Sequence, residues 1–370
     1  MCQPNGFCTF ADGTCASGQR YEDRSGANSG VCVGEEPIPG EAGAEAGDPQ
    51  PFCIGDPSGV RVCFATRPTG DMSLPAAIDT DSTTACMTPM SGGGGYCVIA
   101  AERLRGDILV AVTGTKPLVL VATTTIEISG TLDAASHRGN TPPNYATAQT
   151  GAGSDPAGGC SPPGTPGNNA GGAGGTLVDL GGTGGNGGGA PGAAQTITTV
   201  RGGCRGQNGN TGNAGLGGHG GGAVYLIADT ITISGQINAS GEGGHPGIAG
   251  DAGGGGGGSG GFIGLDAQTI TNTGVVYANG ASGGEGSGNV GTGSPGPEPN
   301  SAAASPGSPS FSVGGNGGSG GAGGSMAGAA TGGTGENSGG AGGGGGGGGT
   351  GVIKVYRGTL IGQFSPTPTP

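Results

Sequence analysis

Apolar residues in this chain come in short bursts of Val, Ile, Leu and Ala, separated by long glycine tracts, and several bursts follow one template. Ala223 to Gly241, AVYLIADTITISGQINASG, aligns without a gap on Phe262 to Gly280, FIGLDAQTITNTGVVYANG. Leu118 to Ala135, LVLVATTTIEISGTLDAA, joins them through Ile126, Gly130, Leu132 and Ala134, and Val352 to Gly362, VIKVYRGTLIG, is a shorter copy. In each, a Gly or Pro (Pro117, Gly222, Gly261, Gly351) stands nine positions before an aliphatic residue (Ile126, Ile231, Ile270, Leu360). A degenerate copy begins at Gly95. Each unit predicts strand, bend, strand, glycine turn, strand, because β-branched residues dominate and each run ends at a polar pair such as Asp229-Thr230. The second strand alternates, as in Ile126-Glu127-Ile128 and Ile231-Thr232-Ile233, which predicts one buried and one wet face. Units repeated in this way predict parallel stacking of aliphatic ladders and an all-β, solenoid-like domain.

The chain divides by composition into a Cys-rich N-terminal module at 1–34, an acidic Pro/Gly/Ala linker at 35–51 and a Gly-rich repeated β domain at 52–370. The units of that domain fall near 95–114, 117–135, 222–241, 261–280 and 351–362. Between them, residues 139–221, 241–260 and 281–350 are glycine tracts. Parts of these keep a period of three: Gly206, Gly209, Gly212, Gly215, Gly218 and Gly221; Gly241 through Gly256; and Gly314, Gly317, Gly320 and Gly323. Collagen requires sustained triplets and abundant proline, which these tracts lack. Two readings stay open: flexible linker, or a bundle of polyproline-II-like glycine helices that satisfy one another's backbone donors and acceptors.

Glycine supplies 99 of 370 residues and tryptophan none, so ordinary side-chain burial cannot order the whole chain. A net charge of -13, with Lys116 and Lys354 the only lysines, argues against a nucleic-acid partner and against an anionic membrane surface. No apolar run reaches the length of a transmembrane span. Ten cysteines, Cys2, Cys8, Cys15, Cys32, Cys53, Cys63, Cys86, Cys97, Cys160 and Cys204, form an even set with no Cys-x-x-Cys pair. They read as disulfide cysteines in an oxidising compartment rather than zinc ligands. Cys53 with Cys63, Cys86 with Cys97 and Cys160 with Cys204 are the favoured local pairs, with connectivity left open. The start at Met1-Cys2, already inside a Cys-rich module, is the expectation of an export signal missing from this sequence.

No catalytic, cofactor-binding or metal site is expected. Gly257-Gly258-Ser259-Gly260-Gly261 and Gly317-Gly318-Ser319-Gly320-Gly321 match G-x-S-x-G but follow glycine runs, not a strand. His137, His219 and His245 would bind a transition metal only if the tracts folded them together, and isolated turn histidines are the commoner case. Asp133, Asn238 and Tyr277 share one repeat position and would form either a binding strip or a row of turn residues. Asp229 and Asp266 are the one suggestive carboxylate pair for a glycosidase.

The segments CQPNGFCTF, CASGQR, YCVIA, PLVLVA, AVYLIA, GFIGLDA and GVIKVYR carry a resemblance over most of the chain. The sequence resembles the functionally uncharacterised Gly-rich predicted surface proteins, many lipoprotein-like, of myxobacteria and related soil bacteria. That resemblance implies an exported, envelope-associated location and no established activity. The expected function is a non-enzymatic secreted or cell-surface structural or adhesive protein whose partner is an envelope polymer, a glycan or another cell surface. A carbohydrate-active β-helix enzyme and an ice- or surface-binding protein are the alternatives.

Overall fold

A computed structural model describes residues 8–22, 32–33, 51–142, 145–289, 291–299, 318–319, 322–325, 328–334 and 341–370. The chain forms two units, Met1–Gln50 and Pro51–Pro370, and no helix occurs among the described residues. In the first unit, β1 (Thr9–Ala11) pairs antiparallel with β2 (Gln19–Tyr21), and Cys15 is bonded to Cys32. Cys8 is also disulfide-bonded. Cys2 and linker residues 35–50 lie outside the described residues.

The second unit opens with a hairpin of β3 (Phe52–Ile54) and β4 (Val62–Phe64), in which Cys53 faces Cys63 and is bonded to it. The strands that follow are β5 (Asp71–Ser73), β6 (Ala77–Asp79), β7 (Cys97–Gly106), β8 (Leu109–Thr113), β9 (Leu118–Ile128), β10 (Thr131–Asp133), β11 (His137–Arg138) and β12 (Thr147–Gln149). After the first glycine tract come β13 (Ala223–Ile227), β14 (Thr230–Ile233) and β15 (Gln236–Asn238), then β16 (Phe262–Asp266), β17 (Thr269–Asn272) and β18 (Val275–Tyr277). β19 (Val352–Arg357) and β20 (Gln363–Ser365) close the chain.

Equivalent strands of successive units pair in parallel, with Ile126 beside Ile231 and Ile231 beside Ile270. They assemble into an eight-stranded sheet, built on β9 with β13, β14, β16, β17 and β19 to one side and β7 and β5 to the other, and a six-stranded sheet in the order β20-β18-β15-β10-β8-β6. The solenoid expected from the repeats is therefore not formed. The strands register instead into two parallel sheets, and the returns from β12 to β13, β15 to β16 and β18 to β19 run through glycine tracts of very unequal length. Among the described residues these returns build no further strand of either sheet.

The two sheets share one core. Leu104, Ile126, Ile231 and Ile263 from the larger sheet meet Val110, Leu132, Ile237 and Val276 from the smaller. The first strand of the central units is apolar on both faces, and Leu118 to Ala122 and Ala223 to Ile227 are fully buried. Its outer face is covered by Val62 and Phe64 of the hairpin, which pack with Val119, Val121, Tyr225 and Phe262. That double burial is why this strand reads as a continuous apolar run while the second strand alternates. The turn glycine of each unit sits against its predecessor: a Cβ on Gly235 would lie 1.9 Å from the Gly130 carbonyl oxygen, and one on Gly274 2.0 Å from that of Gly235.

The described glycine tracts are hydrogen-bonded threads. Along residues 254–260, successive amides turn to three different neighbours. Gly254, Gly257 and Gly260 donate to Gly343, Gly346 and Gly349; Gly255 and Gly258 donate to His245 and Glu242; Gly256 and Ser259 donate to Gln207 and Cys204. A fourth thread closes the pattern, since Gly346 and Gly349 donate to Gly172 and Gly175, which donate in turn to Gly254's and Gly257's carbonyls. Donors that rotate through three neighbours with a period of three are what a threefold extended backbone presents, and this meets the requirement that buried backbone groups be paired. Side chains are excluded because a Cβ at Gly255 or Gly256 would fall 1.9 Å from the carbonyl oxygens of Leu216 or Ala173. Within the Gly314–Gly323 series, Gly314, Gly317 and Gly320 lie outside the described residues.

Candidate functional site

The alternation in the second strand of each unit leaves one face of the larger sheet open. In β14, Ile231 and Ile233 are fully buried while Thr230 and Thr232 point outward. Parallel register carries these outward positions across the sheet in two rows. One row runs Asp71, Arg103, Thr125, Thr230, Thr269, and the other Ser73, Arg105, Glu127, Thr232, Thr271. Neighbouring rungs lie about 4.8 Å apart and the two rows about 6.6 Å apart, the spacings of any parallel sheet.

The threonine end of this face is lined by open hydroxyls. The hydroxyls of Thr125, Thr230, Thr232, Thr269 and Thr271 bond to no protein group. At the other end the face is charged: Arg105 Nε lies 3.5 Å from Glu127 Oε2, both half-exposed, a weak surface pair. Open hydroxyls can donate and accept, and their methyls offer apolar contact, so the face suits a repeating hydroxyl-rich surface.

Most of the other candidate residues are engaged within the protein. Asp133, Asn238 and Tyr277 do share one register of the smaller sheet, but all are buried. Asn238 Nδ2 donates to Asp133 Oδ1 at 3.1 Å, so the strip is internal and cannot meet a ligand. The three histidine rings bond to different carboxylates. His137 donates to Asp133 Oδ2 and Glu298 Oε2, each at 3.0 Å; His219 bonds to Asp155; His245 Nε2 donates to Glu242 Oε1 at 3.0 Å. Among the described residues no cluster of three or more His, Cys, Asp or Glu could hold a metal. Burial opposes charge on the His137 ring, and the hydrogen bonds of Asp133 and Glu298 outweigh it, lifting its pKa from 6.5 to about 10. Burial pushes the Glu242 carboxyl up, but hydrogen bonds from His245, the His219 amide and Thr147 hold it below the usual carboxylate range.

Ser259 of the first G-x-S-x-G match is fully buried, and its hydroxyl accepts from the Cys204 amide at 2.8 Å. The second match lies partly outside the described residues. Asp266 is fully buried, pairs with Arg357 and accepts from the Asp56 amide at 2.6 Å, whereas Asp229 is exposed. Cys86 is bonded to Cys97 and Cys160 to Cys204, and no cysteine among the described residues is free.

No family model, curated protein or solved structure matches this chain. No helix among the described residues is long and apolar enough to cross a membrane. The threonine face was overlooked in the sequence, although its signal was there. The outward residues of the alternating strands, Thr125, Thr230, Thr232, Thr269 and Thr271, were legible as wet. That they form one array required the register.

Proposed function

We propose that this chain is a non-enzymatic structural or adhesive protein of the cell exterior, which holds an extended polysaccharide on the threonine face of its larger sheet. The observation that carries this reading is the strand register that aligns the open hydroxyls of Thr125, Thr230, Thr232, Thr269 and Thr271 on one face of the larger sheet. Hydroxyls repeated at the fixed spacing of a parallel sheet fit a polymer whose own hydroxyls repeat along its length. The exterior location rests on the disulfides, which persist in oxidising compartments, and on the resemblance to Gly-rich bacterial surface proteins.

The test is co-sedimentation with a panel of insoluble polysaccharides, comparing the native chain with the double variant Thr232→Lys, Thr271→Lys. Thr271 is exposed and Thr232 half-buried, so circular dichroism of the variant is recorded alongside to check that it folds. Retention of the native chain by at least one polysaccharide, weakened about tenfold or more in the variant, is the expected result. Native chain that sediments with none of them, or a variant that sediments equally, overturns the proposal. The same flat hydroxyl and methyl array favours ice adhesion as a second reading, which thermal hysteresis of the native chain tests directly.

A further inference from the structure

The Cys160–Cys204 disulfide closes the longest glycine tract, with a sequence separation of 44, and its surroundings differ from those of the other disulfides. The Arg201 guanidinium lies against it, with one terminal nitrogen 3.2 Å from Cys160 Sγ and 3.0 Å from Cys204 Sγ. Its remaining donors go to neutral acceptors: the carbonyls of Gly159 and Gly202 and the Gln195 side-chain oxygen. No carboxylate bonds to this half-buried cation. The nearest acid acting on it, Asp155, is bonded instead to His219 and the Gly220 amide. Burial accordingly pulls the Arg201 pKa below its ordinary value. Neither Cys53–Cys63 nor Cys86–Cys97 has an arginine bonded to its sulfurs.

A cavity of about 310 Å³ opens onto this bond, lined by Cys160, Cys204, Asp155, Pro162, Thr176 and Arg205 among others. Both cysteines line the cavity, and Cys160 is half-buried whereas Cys204 is 2% exposed. A disulfide sulfur is a poor acceptor for a guanidinium and a thiolate is a strong one, so the cation is placed for the reduced state.

We infer that Cys160–Cys204 is a reactive disulfide that undergoes exchange with low-molecular-weight thiols entering this cavity, with Arg201 holding the thiolate that leaves. The external thiolate attacks Cys160 Sγ, forming a mixed disulfide. The Cys160–Cys204 bond breaks, and its electron pair departs on Cys204 Sγ, facing Arg201. A second external thiolate then attacks the external sulfur of the mixed disulfide and releases Cys160 as a thiolate. Two external thiols are thereby oxidised to one disulfide while the protein gains two reduced cysteines. This chemistry is independent of what the threonine face binds.

The test exposes the folded, oxidised chain to excess reduced glutathione at neutral pH, with timed alkylation and peptide mass mapping. Cys160 and Cys204 should become labelled before Cys53, Cys63, Cys86 and Cys97, with glutathione found transiently on Cys160. Arg201→Gln should slow opening about tenfold and raise the alkylation midpoint of the reduced cysteines by about one pH unit, and Arg201→Lys should recover part of both. Opening of Cys160–Cys204 no sooner than the other two bonds overturns the inference in the native chain alone, whether or not the variants fold. Unchanged kinetics in a folded Arg201→Gln chain also overturns it.

Discussion

At Gly256 the space a side chain would need is already filled, for a methyl there would meet the Ala173 carbonyl oxygen at 1.9 Å. Its amide also donates to Gln207, one of three neighbours served in rotation along this thread. Gly256→Ala should therefore push threads apart rather than fill a gap, at a cost of about 2–3 kcal/mol, measured as a lowered denaturation midpoint. A mutation of Gly212, whose Cβ position is open, is the matched control and should change little. Single residues were legible in the sequence in this limited sense. The three-residue recurrence of glycine marked where side chains are absent, but not which backbone lies opposite. His137 shows the same limit from the polar side: its partner Glu298 is 161 positions away, and nothing local in the sequence connects them.

The repeated element is a first strand buried on both faces, a second buried on one, and a third in another sheet. Its periodicity was readable because local alternation reports burial directly: Ile126, Ile231 and Ile270 were picked out by spacing and do lie side by side. The copy formed by β5 and β6 escaped notice, because Asp71–Ser73 and Ala77–Asp79 are three-residue strands with little apolar content. They were recognisable only through pairing with β7 and β8. Ile231 occupies the centre of the ladder with no exposed surface. Ile231→Ala should destabilise the chain by about 2–5 kcal/mol through lost burial and a residual cavity. The same change at Ile270, which is only partly buried against the core, should cost less, and paired urea melts decide between them.

Over the whole molecule, the glycine lattice and the smaller sheet are joined by carboxylate and histidine clamps, so stability should depend on pH at both ends. His137 has a raised pKa, so its contribution is complete below pH 6.5 and is lost as pH rises towards about 10. Glu242 has a lowered pKa, so its contribution is complete above about pH 4.5 and is lost on acidification. Thermal melts should therefore peak between these limits, and His137→Gln should flatten the alkaline limb while leaving the acid limb in place. The sequence by itself determined the strand segments, their alternation and the glycine periodicity, because each depends on residues a few positions apart. Only the tertiary structure decided that the units form two parallel sheets instead of a solenoid. Tertiary structure also decided that Asp133, Asn238 and Tyr277 face inward, and that open threonines align on one surface. Those outcomes depend on which distant backbones pack together, and in a chain where glycine returns of unequal length join the units, no local pattern encodes that choice.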